Sequence, residues 1–520
     1  MPRLAALRTL LLASLAVVLG TGWVAAGADM SAAKSIATTN LAELQLRIRE
    51  RLDSPRFRSA LWGIQVLNSR SGAVVFETNA LRYLTPASNT KLFTAALALD
   101  RLGTEYRIPT SFYAATQPDA RGTVKGDLLI YGRGDPTLVP SGSVGATTAT
   151  TPLSVWVAAL TNAGIRSIRG DLVADESFWG GSGFGSGWSI DDLPFSYSPE
   201  PSALTFHQNV VDLIATPGQT PGSPVGLRFT PDFPPFQVIS QLSTGPADSN
   251  GTLQFDRPLG TRQLVLSGIL KANSAPLTNT ITVPRPALWL TESLGRALQQ
   301  AGVRWKGKVR TIDWVDRLSN PFDSARWVEV ARVSSPRLAD LVIAMMKPSN
   351  NLAAHLLYLQ VGANEPKRVG RTTEDAAGDA MKVFLKPILQ GQPDAMLEEG
   401  SGLSRRHLVS AGTVVNLLTA MQKHPTWETF RDSLPIAGVD GTLRFRFRGT
   451  VAEGKLRAKT GTLRGVSSLS GYMTTAGGEP LTFSILLNSY LAKPGDPSPR
   501  DEVEAIALLL ASFQGTSGTK

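Results

Sequence analysis

The sequence predicts an α+β chain whose helical flanks are interrupted by a large β-rich insertion, and three observations carry that reading. Helical spacing marks the flanks, with Leu41, Leu44, Ile48 and Leu52 on one stripe and Val503, Ile506, Ala507, Leu510 and Phe513 on another. Residues 109–286 hold 19 of the 34 prolines and almost no sustained helical periodicity, so this third of the chain reads as strand and loop. Helical patterning returns from Pro286 onward, where Leu338, Leu341, Val342 and Met345 share a face. At 520 residues and 42% hydrophobic content the chain is long enough for roughly three domains of about 150 residues, and wholesale disorder is excluded.

Residues 1–28 read as a signal peptide. Arg3 and Arg8 form a positive start, residues 10–20 an apolar run, and Val24, Ala25, Ala26, Gly27 and Ala28 a small-residue cleavage region. The apolar run is shorter than the about 18–20 residues that spanning needs, which favours export with cleavage over a retained anchor. The protein is therefore expected outside the cytoplasm, in the periplasm or cell envelope.

A helix follows from Asn40, a capping residue, to Leu52. Residues 61–68 and 73–77 read as two strands joined by the turn Ser69, Arg70, Ser71, Gly72. The next helix covers 88–102 and is closed by Gly103. Within 109–286 there is a short internal echo, Gly126-Asp127-Leu128-Leu129 and Gly170-Asp171-Leu172-Val173, each a turn leading into a strand. A strand over 455–460 and another from Ser467 precede the C-terminal helix. The expected division is 29–108 and 287–515 as two parts of one domain, 109–286 as inserted subdomains, and 516–520 as a disordered tail.

Composition removes several kinds of chemistry. There is no Cys, so disulfides, thiolate zinc sites, iron–sulfur clusters and a cysteine nucleophile are out. The four His, at 207, 355, 407 and 424, are too far apart in sequence for a His-x-x-x-His metal helix. The formal charge of +10 comes without any basic run of five or more, which argues against nucleic acid and fits an anionic envelope polymer equally well. Gly302 to Lys308 spaces its glycines and lysine like a phosphate loop, but Val309 stands where a magnesium-binding hydroxyl is needed and the segment alternates like a strand. The glycine-rich stretch 180–187 reads as a flexible loop, and no G-x-S-x-G elbow occurs. No metal or cofactor is implied.

Three short strings carry chemistry. In Ser88-Asn89-Thr90-Lys91, a serine and a lysine three apart on a helix share a face, so a neutral amine can take the hydroxyl proton and make Ser88 a nucleophile without histidine. The helix start also favours developing negative charge there. Read alone, Ser88 is as well explained as a helix cap, and Ser31 to Lys34 repeats the spacing by accident. Ser349-Asn350-Asn351, after Pro348, lies at a junction of apolar helical stretches that either presents a hydroxyl and an amide to a cleft or caps a helix. Lys459-Thr460-Gly461 lies late in a strand, where a cation and a hydroxyl can bind a carboxylate and a glycine lets substrate backbone lie close; a plain strand end is the alternative.

In this order, S-x-x-K, S-x-N and K-T-G form the signature of penicillin-binding proteins and class A β-lactamases. The chain resembles the D-alanyl-D-alanine carboxypeptidase/endopeptidase family of low-molecular-mass penicillin-binding proteins, in its class C branch. The likeness extends through Gly134-Asp135-Pro136-Thr137-Leu138, Gly400-Ser401-Gly402-Leu403-Ser404-Arg405, Ala437 to Leu443 and Ala458 to Leu463, from about residue 40 to 515. Ser88 and Ser349 lie 261 positions apart, which points to the branch with a large insertion, and the Glu-x-x-Leu-Asn string of class A β-lactamases is absent. Two departures stand out: Glu399 where the family more often has Asp, and His407 where it often has Asn.

The resemblance implies a transpeptidase fold, a five-stranded antiparallel sheet flanked by helices. It implies that Ser88 attacks the penultimate D-alanine carbonyl of a peptidoglycan stem peptide, with Lys91 as base. Ser349 would relay a proton and Asn351 orient Lys91 and the substrate amide. Lys459 and Thr460 would hold the terminal carboxylate beside Gly461, and the N–H groups of Ser88 and Thr462 would form an oxyanion hole. β-Lactams are the implied covalent inhibitors. Two other readings share these strings: a β-lactamase or esterase with the same apparatus, and a catalytically silent wall-binding protein.

Overall fold

A computed structural model of the chain describes residues 37–138, 153–366, 370–389 and 391–517. The expected signal peptide, the accidental Ser31–Lys34 spacing and the last three residues of the expected tail lie outside them. Ser517 is not loose: its N–H donates to Glu479 at 2.8 Å and its hydroxyl accepts from Asn68 at 3.0 Å. No described helix is long and apolar enough to cross a membrane.

The central sheet has five antiparallel strands in the order Leu456–Leu463, Val466–Thr474, Pro480–Asn488, Leu61–Asn68, Val74–Thr78. The N-terminal hairpin thus completes a sheet begun by the C-terminal meander, with Leu61 opposite Asn488. One face is covered by the terminal helices Leu41–Leu52 and Pro499–Ala511, whose Leu44, Ile48, Val503, Ile506 and Leu510 pack with Ile64, Val66, Phe483 and Ile485. The buried Glu502 carboxylate ties the two ends, pairing with Arg51 and Arg56 at 2.7 Å each.

The other face carries a helical layer with Thr90–Leu102 at its centre, packed by Leu338–Met346, Asn351–Asn364, Thr373–Leu389 and Ala411–Met421. Every side chain from Thr90 to Leu99 is buried. A helix hydrophobic all round belongs in the middle of a core, and its position and pitch are then set by its neighbours.

The insertion leaves and returns through paired strands. Pro109–Ala114 runs antiparallel to Val328–Ser334, with Pro109 opposite Ser334, and just beyond them Ile108 and Ser335 exchange two hydrogen bonds of 2.9 Å. The packing therefore does not break at residue 286, where the proline-dense stretch ends. Helix Pro286–Gln300 buries Trp289, Leu290, Leu294 and Leu298 in one core with Trp156, Leu172 and Ile281, and the chain returns only after residue 334. Proline density follows loops and turns rather than the point at which a chain rejoins its parent layer. It also hid a helix, Ser154–Asn162.

The sequence echo has a structural counterpart. Leu128–Tyr131 and Leu172–Asp175 are parallel neighbours with Leu128 opposite Leu172, and Val309–Ile312 adds a third parallel strand with Val309 opposite Leu172. Each is preceded at equal spacing by a two-residue strand, Thr123–Val124, Ser167–Ile168 and Arg304–Trp305, which also pair in register. The segment resembling a phosphate loop is the third copy. A Cβ on Gly307 would sit 2.1 Å from the Gly170 carbonyl oxygen, so glycine is needed where the copies cross.

These contacts predict where the insertion can be excised. Joining residue 108 to 335 through a short linker is expected to leave a soluble chain with a cooperative melt. Joining 108 to 287 strands Val328–Ser334 without its partner and exposes helix Pro286–Gln300, at about 1.5–3 kcal/mol for each uncovered Leu or Trp. Equal solubility and melting of both deletions would reject the later boundary.

Candidate active site

Ser88 lies in a 3-10 turn, Ala87–Asn89, that runs into helix Thr90–Leu102. The turn is entered through Ala87 at φ +49°, a conformation that L residues adopt only where packing holds them. Packing does so here: Ser468 Oγ donates to the Pro86 carbonyl at 2.8 Å, and Asn89 Nδ2 donates to Ser470 Oγ at 2.7 Å. Both serines are on strand Val466–Thr474, so the sheet grips the turn from below.

One helical step on, the Lys91 side chain is fully buried. Its Nζ donates to Ser88 Oγ at 3.0 Å, Asn351 Oδ1 at 2.5 Å and the Ser401 carbonyl at 2.5 Å. Burial pushes its pKa down to about 7, against a smaller upward pull from the Glu399 carboxylate. A half-neutral amine in contact with a hydroxyl is the arrangement that general-base chemistry requires near neutrality.

Ser349, Asn350 and Asn351 divide the two roles that the sequence left open. Asn350 is the helix cap, its Oδ1 accepting from Ala353 N–H at 2.9 Å. Ser349 on one side, at φ +64°, and Asn351 on the other both face the site. Asn351 reaches Lys91 through Oδ1 while its Nδ2 donates to the Tyr197 carbonyl at 2.7 Å.

Lys459 is also fully buried, and its Nζ donates to Ser349 Oγ at 2.7 Å and the Thr460 carbonyl at 2.9 Å. Burial, then the nearby Lys91 and Arg446 charges, hold its pKa well below the usual lysine range. Leu456–Leu463 is an edge strand of the sheet, and from it the amine reaches Ser349. The Thr460 hydroxyl pairs with Thr442 Oγ1 at 2.9 Å, and Thr462 is exposed at the strand end. Gly461 serves the protein's own backbone: a Cβ there would lie 2.2 Å from Ser468 Oγ, 2.7 Å from the Pro86 oxygen and 3.0 Å from the Ser88 nitrogen. Glycine lets the strand close against the nucleophile turn.

Direct hydrogen bonds thus join Ser88, Lys91 and Asn351 in one set and Ser349, Lys459 and Thr460 in another, and the short 349–351 segment contributes to both. Sequence reasoning missed several companions. Ser401, whose carbonyl receives Lys91, lay within the Gly400 to Arg405 string but without a role, and Thr442 lay likewise within Ala437 to Leu443. The insertion's contacts had no sequence signal: Tyr197 meets Asn351, and Gln208 Oε1 accepts from Asn350 Nδ2 at 2.9 Å. Ser196, Tyr197 and Pro199 line a cleft that opens onto Ser349 and Asn351. No group of three or more His, Asp or Glu among the described residues is placed to hold a metal ion.

Comparison with known proteins identifies the family. Residues 44–513 match the D-Ala-D-Ala carboxypeptidase 3 (S13) family. The chain is 35% identical over 491 residues to a D-alanyl-D-alanine carboxypeptidase of an Actinomadura species, covering 91% of this chain and 86% of that one. It is 28% identical over 436 residues to the D-alanyl-D-alanine carboxypeptidase DacB of Haemophilus influenzae, covering 82% and 85%. The crystal structure of penicillin binding protein 4 from Haemophilus influenzae superposes with a TM-score of 0.73 at 26% identity, over 91% of this chain and 98% of that one. With its sheet, its three motifs and its insertion in this arrangement, the chain belongs to the D-Ala-D-Ala carboxypeptidase 3 (S13) family and is a serine peptidase of penicillin-binding-protein fold.

Proposed function

We propose that this protein is an exported D-Ala-D-Ala carboxypeptidase and endopeptidase that cleaves peptidoglycan stem peptides through an acyl-enzyme on Ser88. The observation that carries the reading is Lys91 Nζ, buried and held at 3.0 Å from Ser88 Oγ with its pKa near 7. Neutral Lys91 takes the Ser88 proton as Oγ attacks the penultimate D-alanine carbonyl. The oxyanion is received by the N–H groups of Ser88 and Thr462, worth about 3 kcal/mol per donor. The proton taken up by Lys91 is relayed through Ser349, whose Oγ accepts from Lys459 Nζ at 2.7 Å, to the leaving amine, which returns Lys91 to its neutral form. Water then attacks the acyl-enzyme with Lys91 again as base, and D-alanine has left. A donor strand within a cross-link, in place of a free tail, gives the endopeptidase reaction.

The Thr460 hydroxyl contacts the substrate's terminal carboxylate, next in the strand to the Lys459 amine. β-Lactams, which mimic the terminal dipeptide, acylate the same serine; the Haemophilus influenzae penicillin binding protein 4 has been solved complexed with one. Export rests on the pattern of residues 1–28.

Three measurements test this reading. Intact-mass analysis after penicillin treatment is expected to show one adduct, on the peptide containing Ser88, and none in Ser88→Ala. An adduct on another residue would end the mechanism, and rapid loss of the adduct with hydrolysed penicillin would favour a β-lactamase.

The pH dependence follows from the direction of the Lys91 shift. Below about pH 7 the amine is protonated and cannot accept a proton, so the second-order acylation rate is expected to rise with pH and level off above that value. Lys91→Arg, a fixed cation, is expected to lose roughly 10²–10⁴-fold. A flat profile between pH 5 and 9 would remove Lys91 as the base.

Carboxylate recognition is read by a double-mutant cycle on protein and substrate. Thr460→Val is expected to lower kcat/KM on a peptide ending in D-Ala-D-Ala by roughly 10- to 150-fold, the value of a hydrogen bond to a charged group, and to affect the C-terminal amide much less. Equal losses on acid and amide would show that Thr460 does not read the carboxylate.

A further inference from the structure

Glu399 and His407, on either side of the turn over residues 400–404, are in contact. Glu399 is fully buried and both its oxygens are engaged. Oε2 accepts from the Ser401 N–H at 2.6 Å. Oε1 accepts from the Gly402 N–H at 2.6 Å and the Ser404 N–H at 3.3 Å, and lies 3.0 Å from His407 Nε2. A carboxylate only accepts once ionised, so His407 carries its proton on Nε2. Its Nδ1 has no hydrogen-bond partner among the described residues, which leaves Glu399 as the one polar contact of a buried ring.

The carboxylate gathers three backbone N–H groups, and so winds the turn over residues 400–404 around a single charge. The same turn presents its carbonyls to the nucleophile helix: Ser401 accepts from Lys91 Nζ at 2.5 Å, and Gly400 accepts from Thr94 Oγ1 at 2.7 Å. The Lys91 amine has three acceptors, and the Ser401 carbonyl is the one whose place is determined by Glu399.

We propose that Glu399 and His407 act as a positioning pair for Lys91: the carboxylate shapes the turn that holds the amine against Ser88, and the imidazole holds the carboxylate. The proposal rests on the reading of Lys91 as the acylation base. The charged and titratable groups around the pair are few. Lys91 is faced by Glu399 and, from strand Leu456–Leu463, by Lys459 with Arg446 behind it. Glu399 is faced by His407, by His355 Nδ1 at 3.8 Å from helix Asn351–Asn364, and by Lys91. Glu374 lies on the far side of His355 at 4.0 Å, and Tyr358 is near both carboxylates.

Two effects of the pair are separable. Glu399 contributes both shape and charge, whereas His407 acts by holding that carboxylate in place. Glu399→Gln sets an amide N–H against backbone N–H donors, which loosens the turn, and it also removes the attraction that stabilises the Lys91 ammonium. His407→Asn frees the carboxylate without removing its charge.

The test is the second-order rate of penicillin acylation of the full chain across pH 5–9, with melting temperature measured in parallel. Glu399→Gln is expected to lower the plateau about tenfold or more and to move the acidic limb to lower pH. His407→Asn is expected to lower the plateau with the limb unmoved. Glu399→Asp combined with His407→Asn is expected to lose less than the product of the two single losses, because the residues act as one unit.

Glu399→Gln with an unmoved limb, or single losses that multiply in the double variant, would overturn the proposal. So would losses that vanish once the folded fraction is accounted for. Should Glu399→Gln fail to fold, the cycle through Asp and Asn decides alone. Lys91→Arg separates the two levels of inference. Retained acylation with the wild-type pH profile in that variant would reject Lys91 as the base. Lost acylation there, with unmoved limbs or multiplying losses in the pair's variants, would reject only the pair.

Discussion

A buried lysine amine held among three oxygen acceptors is the constraint around which the rest of this structure is arranged. Lys91 Nζ meets Ser88 Oγ, Asn351 Oδ1 and the Ser401 carbonyl, and these come from three separate stretches of the chain. A buried amine is costly unless it is hydrogen-bonded, and less costly if it gives up its proton. Both conditions suit a base. They require that the helix carrying Lys91 be core on every side, that the junction before helix Asn351–Asn364 be turned inward, and that the 400–404 turn present a carbonyl at one point. The sheet supplies the floor, with Ser468 and Ser470 holding the nucleophile turn by hydrogen bonds.

Lys459 shows the same economy. Its burial, with the Lys91 and Arg446 charges nearby, disfavours the charged amine. The strand carries Lys459 to Ser349, where its amine donates to a hydroxyl, while Thr460 is buried against Thr442 and Thr462 is exposed.

The insertion takes part in this arrangement. Its glycine-rich stretch, which composition marks as a flexible loop, is docked on helix Thr373–Leu389. Gly180 and Thr373 exchange two hydrogen bonds, and Ser186 donates to Glu374 through both its N–H and its hydroxyl. Further along, Tyr197 and Gln208 meet the Ser349–Asn351 segment from above. The insert core is built on a strand–glycine–strand unit used three times, and its paired first and last strands set it on the helical layer as a single body.

By itself the sequence determined the local elements and the chemistry-bearing strings. The stripe behind Asn40, the hairpin around Gly72, the helix ending at Gly103 and the strand bearing Lys459 all depend on neighbours a few residues away, so periodicity and capping suffice to read them. The order of S-x-x-K, S-x-N and K-T-G identified the family for a similar reason, since the motifs are short and contiguous. Tertiary structure decided what distant segments do to one another. It placed the end of the insertion after Ser334, because that boundary is a strand pairing across more than two hundred residues. It turned Gly461 toward Pro86 and Ser88 of its own chain, set Lys459 against Ser349, and brought Glu399 to His407 beneath Lys91. None of these follows from composition or spacing, because burial and hydrogen-bond partners are properties of packing, and packing joins residues that the sequence keeps apart.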